Sequence, residues 1–358
     1  MKEIKVIGLD LAKNVFQVHG MDATGCKVVG KKLKRGEVLA WFAQQPPVLV
    51  GLEACGGAHY WAHEISRLGH TVKMMAPQHV KPYVQGNKTD ARDAAAIAEA
   101  AQRESVPTVA LRDLAGQQMQ ALHRVRDLWM KQRVALSNQT RGLLAEFGQV
   151  MPLGFARLKA EVALWQAREQ PTMVVLKELI TQLMTAISEL ETKISQIEVQ
   201  ITQLHRTNVA SRLIETIPGV GLLTATAVVA SFGECAQFPR ARQFASCLGI
   251  TPREHSSGGK QTLLGISKRG NPYIRRLLVH GARSVLTARM NKPAYADDWA
   301  VKLAIRRGHN IAAVALAAKN ARRIWAMLHT GEVFRVDHAQ AKPACACSTR
   351  WDTNRGDS

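Results

Sequence analysis

Three short runs of β-forming residues open the chain, over residues 4–10, 15–21 and 26–33. The breaks between them, Lys13-Asn14 and Asp22-Ala23-Thr24-Gly25, are short and turn-forming, which suits antiparallel hairpins. A helix-compatible stretch over 37–44, an apolar strand over 48–53, a helix near 58–68 and a strand over 71–75 follow. Three antiparallel strands followed by strand-helix-strand units predict a mixed sheet covered by helices.

Beyond this region the hydrophobic period lengthens. Residues 114–147 read as a helix, with Leu122, Val125, Leu128, Trp129, Leu136 and Leu143 on an apolar side and Arg124, Arg126, Lys131, Arg133 and Arg141 between them. Met151-Pro152-Leu153-Gly154 breaks it. A second helix carries apolar residues at 176, 180, 183, 187, 190, 194, 197, 201 and 204, the 4-3 alternation of a coiled-coil seam. That seam suits the arginine-bearing helix of the same chain or a second copy, and the second copy is the expectation taken forward. Ile217-Pro218-Gly219-Val220-Gly221 then precedes an apolar helix over 222–230. A Pro-Gly-x-Gly turn lets backbone amides approach a phosphate, as in helix-hairpin-helix DNA binders; it also joins core helices in many proteins. A Ser/Gly/Lys-rich loop over 251–270 and helices over 273–287 and 310–328 complete the pattern. The predicted division is 1–107, 108–207, 208–334 and a polar, disordered tail over 335–358.

Charge narrows the partners. The 358 residues hold 48 Lys and Arg against 28 Asp and Glu, a net charge of +20, which points to a polyanion. Residues 1–107 carry 14 basic and 10 acidic side chains, 108–206 carry 12 and 9, and 207–358 carry 22 and 9, so the excess sits in the last part. Apolar runs such as 311–318 are too short to span a bilayer, and no secretion signal is read in MKEIKVIGLD. The six cysteines form no CxxC pair, which favours neither a zinc ribbon nor a disulfide framework. Reduced thiols in a cytoplasm are the expectation, and Cys345 and Cys347 in the tail read as inert.

The candidate chemistry is acidic. Asp10 ends the first strand, Glu53 ends the fourth, and Asp90 and Asp93 sit three apart at the start of a helix, on one face. Each alone reads as a turn former or a helix cap. Their joint order matters more, because the strand pattern is that of a ribonuclease H-like sheet, where these positions converge. Converging carboxylates call for hard cations, Mg²⁺ or Mn²⁺, and two such ions can assist in-line phosphoryl transfer.

Gly8-Leu-Asp10-Leu-Ala-Lys13, Glu53-Ala-Cys-Gly56, Asn87-Lys-Thr-Asp90-Ala-Arg-Asp93-Ala94, Ile217-Pro-Gly-Val-Gly221, Phe244-Ala-Ser-Cys-Leu-Gly-Ile-Thr-Pro-Arg253 and Ser267-Lys-Arg-Gly-Asn271 together resemble the DEDD transposases of the insertion sequence 110 family, with its 1111 subgroup and the Piv/MooV invertases. The likeness runs from residue 4 to about 330. It implies an α/β plus α architecture: a RuvC-like (ribonuclease H-like) mixed-sheet domain, a coiled-coil stalk, and a mostly helical transposase domain with a helix-hairpin-helix-like element. It also implies a serine nucleophile at Ser257, with Ser256 beside it as the alternative, and a covalent phosphoserine intermediate. Arg253, Lys260, Lys268 and Arg269 would neutralise phosphorane charge, with Arg275, Arg276, Gly219 and Gly221 as further nucleic-acid contacts. The implied partners are donor and target double-stranded DNA, a structured non-coding guide RNA, and further copies of the chain in a homodimer or homotetramer, in the bacterial cytoplasm at the nucleoid. Arg124, Arg126, Arg133 and Arg141 are candidate RNA contacts or, equally, a solvated helix face. Two other functions stay open on the residues alone: a metal-dependent RuvC-like junction nuclease using water, and a non-catalytic nucleic-acid binder.

Overall fold

Strands β1 (Val6–Asp10), β2 (Val15–Met21), β3 (Lys27–Lys34), β4 (Leu49–Glu53) and β5 (Thr71–Met75) pair as one five-stranded sheet, in the order β3-β2-β1-β4-β5. The computed structural model describes residues 3–87, 89–169 and 171–335; Cys345, Cys347 and the tail from 336 onwards lie outside the described residues. β2 runs antiparallel to both β1 and β3, whereas β4 runs parallel to β1 and β5 parallel to β4, as the hairpin breaks and the strand-helix-strand unit predict.

Side-chain alternation gives the sheet two buried faces. Ile7, Leu9, Phe16, Val18, Leu33, Val50 and Leu52 pack under α1 (Val38–Ala43) and α2 (Ala58–Arg67). Val6, Met21 and Met75 pack under α4 (Asp90–Gln102), which follows the short α3 (Pro77–Val80). Asp10 is in phase with Val6 and Gly8, so it belongs to the α4 face. The alanine-rich α4 lies close to the backbone there: a Cβ on Gly8 would stand 2.1 Å from the Ala94 carbonyl oxygen, and one on Gly51 2.7 Å from Ala101 Cβ. Gly8→Ala is therefore expected to push α4 off the sheet and to cost about 1–3 kcal/mol. Gly56→Ala, where an added Cβ meets nothing within 4 Å, is the control expected to keep the wild-type denaturation midpoint.

Three helices form the middle of the chain: α5 (Leu114–Glu146), α6 (Phe155–Gln166) and α7 (Val174–Thr207). The heptad residues Leu176, Ile180, Ile187, Ile194, Ile197 and Ile201 of α7 are buried, and α5 runs along α7. Most of the repeat is thus covered within one chain, Leu204 at its end staying exposed, and it gives no independent argument for a dimer. Of the apolar residues expected on the packed face of α5, Leu122, Trp129, Leu136 and Leu143 are partly buried there, whereas Val125 and Leu128 are exposed; Met119, His123, Ser137, Thr140 and Leu144 are its buried residues. Ser137 and Thr140 satisfy their hydroxyls on their own helix, donating to the Arg133 and Leu136 carbonyls at 2.8 and 2.9 Å. Arg126 pairs with Glu198 at 2.6 Å and Arg133 with Glu191 at 3.3 Å, one heptad apart and in opposite directions on the two helices.

The C-terminal part comprises α8 (Val209–Glu215), α9 (Leu222–Phe232), α10 (Ala241–Cys247), the hairpin β6 (Pro252–Glu254) and β7 (Leu263–Ile266), then α11 (Pro272–Met290), α12 (Trp299–Arg307) and α13 (His309–Thr330). Val228, Phe244, Leu278, Leu316 and Ile324 are among its buried core. The stretch expected as a loop over 251–270 carries the β6-β7 hairpin, and α12 is a short helix that the period did not reveal.

His123 of α5 joins the middle helices to this core. It is buried, with Nδ1 3.0 Å from the Tyr273 hydroxyl and Nε2 3.0 Å from Thr226 Oγ1. Thr226 donates to the Leu222 carbonyl at 2.7 Å, so its oxygen is left to accept from Nε2–H. Burial, then the charge of Arg126, lower the His123 pKa from 6.5 to about 4. A histidine that stays neutral in the fold but protonates in the unfolded chain contributes full stability above 6.5 and loses it as pH falls towards 4. The slope is about 1.4 kcal/mol per pH unit at most. Wild-type melting is expected to fall more steeply between pH 6.5 and 4 than that of His123→Gln.

Candidate functional site

The end of β1 is where the acids meet. Leu9 is paired with Leu52 in the parallel β1-β4 register, so Asp10 and Glu53 are the next residues along and project on the same face. Across β2, Asp10 faces Gln17. Above them stands the N-terminus of α4, capped by Thr89, whose hydroxyl accepts from the Arg92 N–H at 3.3 Å. Arg92 reaches back to the Asn87 carbonyl at 2.7 Å, which fixes the entry into the helix. Asp90 and Asp93 occupy the first turn, where the helix dipole favours negative charge.

One carboxylate oxygen from each of Asp10, Asp90 and Asp93 lies within 4.8 Å of the other two. Glu53 is outside that trio but borders it: the Cys55 thiol is pushed up by burial and then by the charges of both Glu53 and Asp10. Asp10, Asp93 and Glu53 are half-buried and Asp90 is exposed, leaving the centre open on one side. The donors are all oxygens at a spacing that a single hard cation can span, which fits Mg²⁺ or Mn²⁺ and gives thiophilic metals little to bind.

The second candidate centre is the β6-β7 hairpin. Ser257 and Lys260 close its turn, with the Lys260 N–H donating to the Ser257 carbonyl at 3.0 Å. Ser256 Oγ donates to Glu254 Oε1 at 2.8 Å and accepts from the Thr262 N–H at 3.4 Å. The Ser257 hydroxyl, in contrast, makes no hydrogen bond among the described residues and is exposed. The motifs on either side form the base of the hairpin. Lys268 N–H donates to the Gly249 carbonyl and Ser267 N–H to that of Thr251, each at 3.0 Å. A Cβ on Gly270 would stand 1.8 Å from the Cys247 carbonyl oxygen, so only glycine permits this crossing. Arg275 ties the base together by donating to the carbonyls of Leu248 at 3.0 Å and Arg269 at 2.8 Å.

The structure divides the basic candidates. Arg253, Lys260, Lys268 and Arg269 are exposed around the hairpin. Arg276 pairs with Asp127 and lies over the Tyr273 ring. Arg126 and Arg133 are engaged by α7, and Arg141 donates to the carbonyls of Pro152 and Gly154, each at 3.1 Å. Arg124 alone of that set of four is exposed. Gly219 serves packing: with φ of +88° it lies against α11, and a Cβ on Gly281 would approach its carbonyl oxygen to 1.9 Å. Asn320, fully buried, donates to the Pro218 carbonyl at 2.9 Å and pins the same turn. Gly221, at the start of α9, stays exposed.

Arg112 was not singled out by the sequence. It lies 2.6 Å from His59 Nε2 of α2, 3.2 Å from Gln120 Oε1 of α5 and 3.4 Å from the Ser231 carbonyl of α9, and so joins the sheet to both helical parts. Nothing in the composition of the segment around it marks this role.

A profile described as "Transposase IS116/IS110/IS902 family" matches residues 211–299, and an IS110-type DEDD profile described as "Transposase" matches residues 7–148. The chain is 46% identical over 331 residues to a "Probable family 20 transposase" of Pseudomonas aeruginosa, covering 92% of this chain and 98% of that protein. It is 42% identical over 336 residues to the "Transposase for insertion sequence element IS1111A" of Coxiella burnetii, with 94% and 92% covered. To the "Transposase for insertion sequence element IS1328" of Yersinia enterocolitica it is 38% identical over 335 residues, with 93% and 99% covered. With matches across both halves and near full length, the chain belongs to the IS110 family of insertion-sequence transposases, and it is an enzyme.

Proposed function

We propose that this transposase cuts and rejoins DNA at the ends of its element through a phosphoserine link on Ser257, assisted by Mg²⁺ held by Asp10, Glu53, Asp90 and Asp93. The observation that carries the reading is the meeting of Asp10 with Asp90 and Asp93, within 4.8 Å, although they lie far apart in the chain. The reading assigns residues 1–107 to a RuvC-like domain, 108–207 to a helical stalk and 208–334 to a serine-bearing transposase domain.

When bound, divalent ions stabilise the charge that develops on the phosphate and on the departing oxygen. Ser257 Oγ forms a bond to phosphorus and gives its proton to solvent; the phosphorus bond to the 3′-oxygen breaks, and that oxygen leaves as a hydroxyl after taking up a proton. Arg253, Lys260, Lys268 and Arg269 face the added negative charge on the phosphorane. Rejoining reverses the step with the 3′-hydroxyl of another strand as nucleophile, so the phosphodiester energy is conserved. Ser257 is preferred to Ser256 because the Ser256 hydroxyl already bonds Glu254 and Thr262.

The hairpin reaches the acidic centre of a second copy in this reading, so a dimer or tetramer is the working unit. Support comes from Leu263 and Leu264, 59% and 46% exposed on the hairpin, an apolar surface suited to docking. A structured non-coding RNA pairing with donor and target DNA would supply sequence choice, leaving the exposed cations to hold backbones. The test is a labelled element-end DNA incubated with the full chain and its RNA, then run on a denaturing gel. A protein-DNA adduct that needs both Mg²⁺ and Ser257 is expected. Cleavage without an adduct would favour the water-using nuclease instead.

A further inference from the structure

A second cationic surface lies in the C-terminal part, on residues that neither the acidic centre nor the serine hairpin uses. Where α11 ends and α12 begins, Arg289 Cζ stands 5.1 Å from the centre of the Tyr295 ring, and Lys319 Nζ of α13 stands 5.1 Å from that of Trp299. Asp298 is the acid set among them. It pairs with Arg289 at 2.8 Å and caps α12 by accepting from the Ala300 and Val301 N–H groups.

The cations crowd one another. Burial and then the charges of Arg323 and Arg322 hold Lys319 below the usual lysine range, with Asp298 acting in the opposite direction. Burial, Arg289 and Arg322 do the same to Arg323. Four like charges around one committed carboxylate repel one another, and an anion laid across them would relieve that repulsion.

The rings say which anion. Tyr295 and Trp299 are 38% and 48% exposed, so planar apolar surface alternates with positive charge. A lone phosphate or an acidic peptide would use the cations and leave the rings idle, and a duplex hides its base faces inside the stack. Unpaired nucleotides present both a base face to stack and a phosphate to pair. We propose that this surface binds an unpaired stretch of nucleic acid, with bases on Tyr295 and Trp299 and phosphates on Lys319 and the exposed Arg322, while Arg289, paired with Asp298, and Arg323, which donates to Asn320 Oδ1 at 3.0 Å and lies over the Phe334 ring, add positive charge behind them. The proposal rests on the reading that the chain handles nucleic-acid strands, and is independent of the metal and of Ser257.

Fluorescence anisotropy of labelled oligothymidylate, oligouridylate and a duplex of equal length, titrated with the full chain, tests it. Trp299→Ala is expected to weaken binding of at least one single strand by about tenfold and to leave the duplex unchanged, while Trp299→Phe keeps most of the affinity. Lys319→Gln is expected to lower the slope of log affinity against log salt by about 0.7 on the same strand. The strand that responds, DNA or RNA, identifies the natural partner. Should the alanine variant fail to fold, Lys319→Gln and its salt slope carry the test. Unchanged single-strand affinity and salt slope, or an equal loss on the duplex, overturns the proposal. Asp10→Asn or chelation leaves this binding intact, so failure of the cleavage chemistry and failure of this surface read separately.

Discussion

Asp10→Asn is expected to lower DNA strand cleavage by about 10³-fold or more. The substitution keeps the shape of the side chain and removes one charge from three carboxylates whose oxygens lie within 4.8 Å. With cations the same charge is an anchor. Its loss removes several kcal/mol of transition-state stabilisation, which corresponds to a loss of that size in rate. Mg²⁺ should raise the melting temperature of the wild type and leave that of Asp10→Asn where it was, since only a binding-competent fold gains by mass action. Cleavage assays and paired melts with and without Mg²⁺ check both expectations.

Ser257→Ala is expected to abolish the covalent protein-DNA adduct, with DNA affinity and melting temperature unchanged. The side chain is exposed at a hairpin turn and makes no hydrogen bond among the described residues, so its removal leaves no buried group unpaired. Ser256→Ala breaks the contacts to Glu254 and Thr262 and loosens the hairpin, and is expected to slow adduct formation without ending it. If the two variants exchanged these behaviours, the nucleophile would be Ser256. Retained cleavage in Ser257→Ala would mean that water attacks.

Much of the sheet was legible because its signals are local. Period-two runs, two short turn-forming breaks and one strand-helix-strand unit give the β3-β2-β1 and β4-β5 neighbours, with ends displaced by a residue or two, and the ribonuclease H-like pattern sets β4 beside β1. The aspartate trio was legible in part: the strand end at Asp10 and the three-residue step from Asp90 to Asp93 are short-range features, whereas their meeting followed only from the ribonuclease H-like strand pattern. The position of Glu53 beside the trio and not within it depends on side-chain directions that no spacing encodes. Long-range partners were hidden too. Nothing in α7 says that α5 covers its seam, and Arg126 and Arg133 look like surface residues until Glu198 and Glu191 arrive opposite them. The Pro-Gly-x-Gly turn is packed by Gly281 and Asn320, both far along the chain, so that contact too was hidden. The cationic and aromatic surface around Trp299 is assembled from α11, α12 and α13, so no single segment announces it.

The most direct measurement is a calorimetric titration of the full chain with Mn²⁺, in wild type and in Asp10→Asn and Asp93→Asn, with circular dichroism confirming that all three are folded. Saturable binding in the wild type, lost or strongly weakened in both variants, is the result expected of an oxygen-lined cation site at the end of β1. Equal binding in all three proteins would contradict it.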